Sequence, residues 1–239
     1  MDNLLEIRNL YKSFTLHEFD QKQIAGCSDI NMTLRSGEFI GITGKSGAGK
    51  STILKCIYRT YIPTQGEILY NSLSYGVVDL AKATERQVLD IRHQEIGYVS
   101  QFLKLLPRVT AFEAVIEVLV MNGKSQQEAV DEAAEMLRHF ELRESLWHAY
   151  PNTFSGGEKL RLNLARAMVK RPRFLLLDEP TASLDQASKA FVRDKILELK
   201  GLGTSMIGIF HDLDFMESVV DKEFNMVGGL LVGGVGATC

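Results

Sequence analysis

The octapeptide Gly44-Lys45-Ser46-Gly47-Ala48-Gly49-Lys50-Ser51, set directly after the apolar run Phe39 to Thr43, constrains this chain more than any other segment. Glycines at 44, 47 and 49 allow a backbone turn tight enough to point successive N–H groups at one anion. A helix opening at the end of the loop adds its N-terminal potential. The spacing GxxxxGKS between a strand and a helix is what a backbone cradle for nucleotide phosphates requires. In that cradle Lys50 is expected to reach the β- and γ-phosphates and Ser51 to place its hydroxyl on Mg²⁺, with Thr52 assisting at the α-phosphate end.

The run Phe174 to Leu177 is too short and too uniformly apolar for a surface helix, and reads as a parallel strand covered on both faces. It delivers Asp178 and Glu179 to the carboxyl edge of a sheet, where open α/β folds bind ligands. Asp178 is expected to hold Mg²⁺, through water, and Glu179 to polarise the water attacking the γ-phosphate. Other β runs fall at Leu4–Leu10, Ile30–Leu34, Glu67–Tyr70, Tyr75–Leu80 and Ser205–Phe210, with Ala187–Leu199 as the helical crossover before the last. From Thr110 to Phe140 the periodicity becomes helical, through Val130, Ala133, Ala134, Leu137 and Phe140. Residues 102–153 are thus expected to form a helical insert within one body spanning 1–239.

A chain of 239 residues, 45% hydrophobic and 24% charged, can bury a substantial core. Its net charge of -3 gives no electrostatic case for nucleic acid. Cys27, Cys56 and Cys239 lack metal or CxxC spacing, which fits a reduced cytoplasmic setting. Met1 to Glu6 lacks the features of a secretion signal. The glycine-rich stretch Met226 to Cys239 falls short of the roughly 20 apolar residues that cross a bilayer, so no direct membrane insertion is expected. It reads as a short final strand and a flexible end.

Ser155-Gly156-Gly157-Glu158 has the spacing of a capping box, with Ser155 as N-cap and Glu158 three residues on. Capping leaves Gly156 and Gly157 unexplained, since each costs up to about 1 kcal/mol in a helix relative to alanine. Glycines there suit backbone N–H groups that must approach a second anion closely.

These segments, in order with Gln101, Ala182-Ser183-Leu184-Asp185 and His211, resemble the ABC ATPases over nearly the whole chain. The resemblance implies a P-loop NTPase (RecA-like) parallel-sheet core with an antiparallel β subdomain and an inserted α-helical subdomain. It also implies a head-to-tail dimer, homomeric or with another ABC-type subunit, in which Ser155 to Glu158 cap ATP held by the other subunit. By the same resemblance Gln101 senses Mg²⁺ and partner contacts, Asp185 communicates across the dimer and His211 contacts the γ-phosphate. Phe14 resembles the aromatic that stacks on adenine, with Tyr11 as a second claimant. His17, His93, His139 and His148 take no role from it.

The segments Ser100 to Ala111, Leu146-Trp147-His148 and Pro151 to Glu158, with Lys55 to Pro63 and Gly208 to Asp212, resemble the PhnL family, ABC-type proteins of the bacterial carbon–phosphorus lyase system for phosphonate use. That resemblance implies soluble lyase components as partners and an association with formation of a ribose phosphonate triphosphate. Two other readings stay open: the ATP-binding subunit of a membrane transporter of the lipoprotein-releasing type, and a nucleotide-gated assembly protein. In the transporter reading the apolar segment Phe102 to Leu106 meets a permease coupling helix.

Overall fold

The computed structural model describes residues 2–16, 22–100 and 108–236. Strands β1 (Asn3–Leu16), β2 (Lys22–Arg35) and β3 (Phe39–Gly44) lead to helix α1 (Lys50–Ile57). Strands β4 (Gln65–Ser72) and β5 (Gly76–Asp79), helix α2 (Glu85–Gln94) and strand β6 (Ile96–Val99) follow. Then come helices α3 (Ala111–Met121), α4 (Gln126–His139) and α5 (Glu144–Trp147), a 3-10 turn at Pro151–Thr153, and helix α6 (Gly156–Met168). Strand β7 (Phe174–Asp178), helix α7 (Gln186–Gly201), strand β8 (Ser205–Ile209), helix α8 (Leu213–Glu217) and strands β9 (Lys222–Val227) and β10 (Leu230–Gly236) complete it.

The strands form two sheets. One is four-stranded and antiparallel, in the order β2-β1-β4-β5; the other has six strands, in the order β10-β9-β3-β8-β7-β6. In the second, β3 lies parallel to both β8 and β9, and β7 parallel to β6 and β8, while β10 is antiparallel. Alternation along β7 sorts its side chains between the two faces, as a pleated strand must. Leu175 and Leu177 join the core with α3, α4, α6 and α7. Phe174 and Leu176 join the core with α1 and the antiparallel sheet.

Glu95, only 2% exposed, ties the two sheets together. Its carboxylate accepts from Tyr70 Oη at 3.0 Å, Ser72 Oγ at 2.6 Å and the Leu73 N–H at 3.1 Å, with Arg173 Nη1 at 3.4 Å. A buried carboxylate is tolerable only when it is satisfied in this way.

The helical periodicity expected over 110–140 resolves into two helices. Asn122 ends α3, Gly123 turns the chain at φ 89°, and Ser125 opens α4 with its own capping box. Strands β1 and β2 also run well beyond the expected Leu4–Leu10 and Ile30–Leu34. Bulges near Lys12 and Cys27 break the alternation on which a strand reading relies. The carboxyl-terminal segment folds as the hairpin β9–β10, one strand more than expected. Cys27 and Cys56 are buried free thiols. Among the described residues, no helix is long and apolar enough to cross a membrane.

Candidate nucleotide site

Three neighbouring strands end side by side. Ile42 of β3 pairs with Ile209 of β8, and Ile209 pairs with Asp178 of β7. The loop after β3, His211 after β8 and the Asp178-Glu179 pair after β7 are thereby brought to one edge.

The loop's shape depends on its glycines. Gly44 and Gly49 hold φ of 132° and 104°, and a Cβ would stand 2.4 Å from Met226 O at Gly44 and 1.8 Å from Gly26 O at Gly49. No L side chain fits either position. Lys45, Ser46 and Gly47 form an exposed tip, while Lys50 at the start of α1 is 5% exposed. Lys50 Nζ donates to Gly44 O at 2.7 Å and Lys45 O at 3.0 Å, and burial holds its amine below the ordinary lysine value. The amine therefore rests against the backbone at the Gly44–Lys45 end of the loop.

Ser51 Oγ donates to Asp178 Oδ1 at 2.9 Å, and Tyr98 Oη approaches Asp178 Oδ2 at 3.4 Å. Burial raises the Asp178 carboxyl above its ordinary value, and the Ser51 bond opposes that shift. A desolvated carboxylate beside a hydroxyl is a donor set suited to a hard cation. Glu179 is in the left-handed region, at φ 56°, a strained conformation for a residue with a side chain. Its Oε1 lies 2.9 Å from His211 Nε2; since a carboxylate only accepts, that nitrogen carries the proton. His211, expected at the γ-phosphate, thus rests here on Glu179. Thr52 N–H donates to Gly49 O at 3.0 Å.

Phe14 is half-buried. Its ring meets Tyr61 edge-on at 5.1 Å, Lys12 Nζ lies 5.0 Å from its centroid, and a Cβ on Gly26 would crowd both Phe14 and Thr52. The aromatic expected to meet adenine therefore stands beside the first turn of α1. Tyr11 lies on the other side of a bulge, opposite Gln65 of β4.

At the start of α6 the capping box is complete. Glu158 N–H donates to Ser155 Oγ at 3.3 Å, and Glu158 Oε2 accepts from Ser155 N–H and Oγ at 2.8 Å each. With Arg143 on its other oxygen at 2.8 Å, Glu158 titrates at about 2, mainly through the Ser155 N–H bond and then Arg143. The two glycines separate here. A Cβ on Gly157 would meet Ser183 O at 3.2 Å, whereas Gly156 is exposed and has nothing within 4 Å of that position among the described residues. Asp185 caps α7, accepting from Ser188 N–H at 2.7 Å. Gln101 and the segment Phe102 to Leu106 lie outside the described residues.

A phosphate loop, a magnesium-type Ser–Asp pair and a Glu–His pair on adjacent strand ends define a P-loop nucleotide hydrolase, and the added antiparallel sheet and helical insert define an ATP-binding cassette. The chain belongs to the ABC transporter family, whose model matches residues 27–182. It is 37% identical over 212 residues to the lipoprotein-releasing system ATP-binding protein LolD of Legionella pneumophila (strain Paris), across 88% of this chain and 89% of that protein. It is 31% identical over 229 residues to the cell division ATP-binding protein FtsE of Bacillus subtilis (strain 168), across 96% and 95%. The structure matches the dimeric ATP-binding cassette MJ0796, in a post-hydrolysis state with ADP and Pi, at a TM-score of 0.88 and 27% identity over 98% of this chain and 99% of that one. ATP and Mg²⁺ are the ligands of such a cassette, and the Lys50, Ser51 and Asp178 donors fit both.

Proposed function

We propose that this chain is the ATP-hydrolysing subunit of a membrane ABC transporter, working as a head-to-tail dimer. The exposed, uncrowded Gly156 carries the dimer: the described residues give no packing reason for a glycine there, and a phosphate held by a second subunit does. Gly44 to Thr52 hold the nucleotide, with Lys50 leaving the loop carbonyls for the β- and γ-phosphates and Phe14 against adenine. Ser51, Asp178 and Gln101 hold Mg²⁺, which supplies charge neutralisation at the phosphates. Glu179 orients the attacking water, and His211 fixes that carboxylate and meets the γ-phosphate. Ser155, Gly156, Gly157, Glu158 and Asp185 serve the partner's nucleotide. Residues 102–153 act as the helical subdomain.

A permease partner is supported by similarity to lipoprotein-releasing ATP-binding proteins and by a groove of about 330 Å³. Tyr58, Leu89, Arg92, Val118, Met121 and Asn163 are among its lining residues, with Leu89 60% and Met121 58% exposed. The carbon–phosphorus lyase reading rested partly on Trp147 and Phe154, which are 6% and 4% exposed. Trp147 donates to Leu142 O at 2.8 Å and stacks on Phe112, so it reports packing of the helical segment and offers no partner surface. Affinity purification from detergent-solubilised membranes decides between them. An integral membrane permease lost from a Leu89→Glu/Met121→Glu variant is the expected result. Soluble lyase components recovered in place of a permease would overturn the transporter reading.

A further inference from the structure

Lys189 lies one turn into α7, its N–H bonded to the carbonyl of the cap residue Asp185 at 3.0 Å. Its ammonium forms an ion pair with Asp212 Oδ2, while Asp212 Oδ1 caps α8 by accepting from Phe215 N–H at 3.1 Å. Both oxygens of Asp212 are therefore fixed, one by each helix. Asp212 is next in sequence to His211, whose ring bonds Glu179 at 2.9 Å. Glu179 opens the turn that returns to α7, with Ala182 N–H donating to Glu179 O at 3.2 Å and Ser183 at φ 65°. A closed ring results: Glu179, the turn to Asp185, the first turn of α7, Lys189, Asp212, His211 and back to Glu179.

The ion pair is 21% and 27% exposed, and solvent-accessible pairs add little to stability. Its geometric role is larger, because it links, side chain to side chain, the α7 end bearing Asp185 to the backbone that carries His211. We infer that Lys189 is a positioning residue for hydrolysis, setting His211 against Glu179 through Asp212 and passing movement of the Asp185 end of α7 to that pair. This rests on the hydrolytic site proposed above.

The test is steady-state ATPase of the full chain. Lys189→Met lowers kcat roughly 10-fold or more with KM for ATP nearly unchanged, as expected for a misplaced group that does not bind ground-state nucleotide. Lys189→Arg preserves the ion pair and restores kcat. Asp212→Asn keeps the α8 cap but removes the charge; it reproduces the loss, and the double variant Lys189→Met/Asp212→Asn is no slower than either single one. Wild-type kcat in Lys189→Met, no rescue by arginine, or additive losses overturns the inference. A Lys189→Met variant that fails to fold also overturns it, since the pair would then be structural. A Glu179→Gln control separates the two claims: wild-type hydrolysis in that control sinks the hydrolytic site itself, whereas an inactive control beside a fully active Lys189→Met sinks only the role of Lys189.

Discussion

Replacing Gly156 with alanine should make the folded chain more stable and the enzyme nearly inactive, an opposition that separates packing from function at one atom. Gly156 is the first residue of α6, its φ is not in the left-handed region, and a Cβ there has nothing within 4 Å among the described residues. Nothing among the described residues resists the added methyl. Alanine exceeds glycine by up to about 1 kcal/mol in a helix interior and by less in the first turn, so a gain of about 0.5 kcal/mol is expected. For a chain of this length that raises Tm by about 1 to 2 °C. If the N–H groups of the α6 terminus must lie against a phosphate of the partner subunit, the same methyl holds that phosphate off by roughly 1 Å, and such a displacement costs on the order of 100-fold in kcat. Nucleotide affinity of the isolated monomer, set by Gly44 to Thr52, should not change. Thermal unfolding, monomer ATP titration and steady-state phosphate release read the three quantities. Full ATPase activity in Gly156→Ala would refute the reasoning, because the glycine would then serve neither its own fold nor a ligand. Gly157→Ala is the weaker probe: its Cβ would press on Ser183 O at 3.2 Å, so lost activity there has a local cause.

Two further outcomes follow from the same geometry. Glu179→Gln keeps every phosphate contact while losing the carboxylate that orients water, so it should bind ATP, hydrolyse slowly and accumulate as a dimer; sedimentation showing only monomer at saturating Mg-ATP would count against this. Glu158, whose carboxyl is lowered from 4.5 to about 2 in the folded chain, contributes stability above its unfolded value that is lost as pH falls from about 4.5 to about 2. Glutamine retains a capping box without the charge. Glu158→Gln should therefore show a shallower loss of urea midpoint across that window, and an unchanged acid slope would show that the carboxylate does not act this way.

Much of the α/β core was legible because its signals are local. The phosphate loop sits where GxxxxGKS places it, β7 and β8 occupy nearly the apolar runs expected of them, and Asp178 ends its strand. Helix α2 was missed although Thr84 and Gln87 form a capping box ahead of Val88 and Ile91, a pattern visible in the residues alone. Strand β6 has only four residues, and β9 alternates so that only Phe224 and Met226 are buried; neither rises above the noise of short runs. Tyr98, within 3.4 Å of Asp178, and Lys189, paired with Asp212, were invisible for a different reason. Each meets its partner across strands or helices far apart in the chain, and no spacing rule encodes a contact that strand order creates.

That strand order also changes what the signature glycines mean. Read as letters, Gly156 and Gly157 share one explanation, an anion approaching the opening of α6. In the fold, the turn from Glu179 to Asp185 passes under the same helix end, so Gly157 makes room for Ser183 O, and Leu184 lies 3.9 Å from the same position. That turn starts at Glu179 and ends at the Asp185 cap of α7. In the proposed dimer a single exposed glycine then remains for the partner's nucleotide, while its neighbour makes room for the chain's own turn. One dipeptide thus touches both halves of the proposed composite site. In the proposed dimer, a partner phosphate arriving at Gly156 would press on a helix end already packed against the segment that leads to Glu179, Asp185 and, through Lys189 and Asp212, His211. If the proposed dimer and hydrolytic pair hold, closure of the one and placement of the other are one mechanical event, and Gly156→Ala and Lys189→Met should both lower kcat while sparing ATP binding by the monomer.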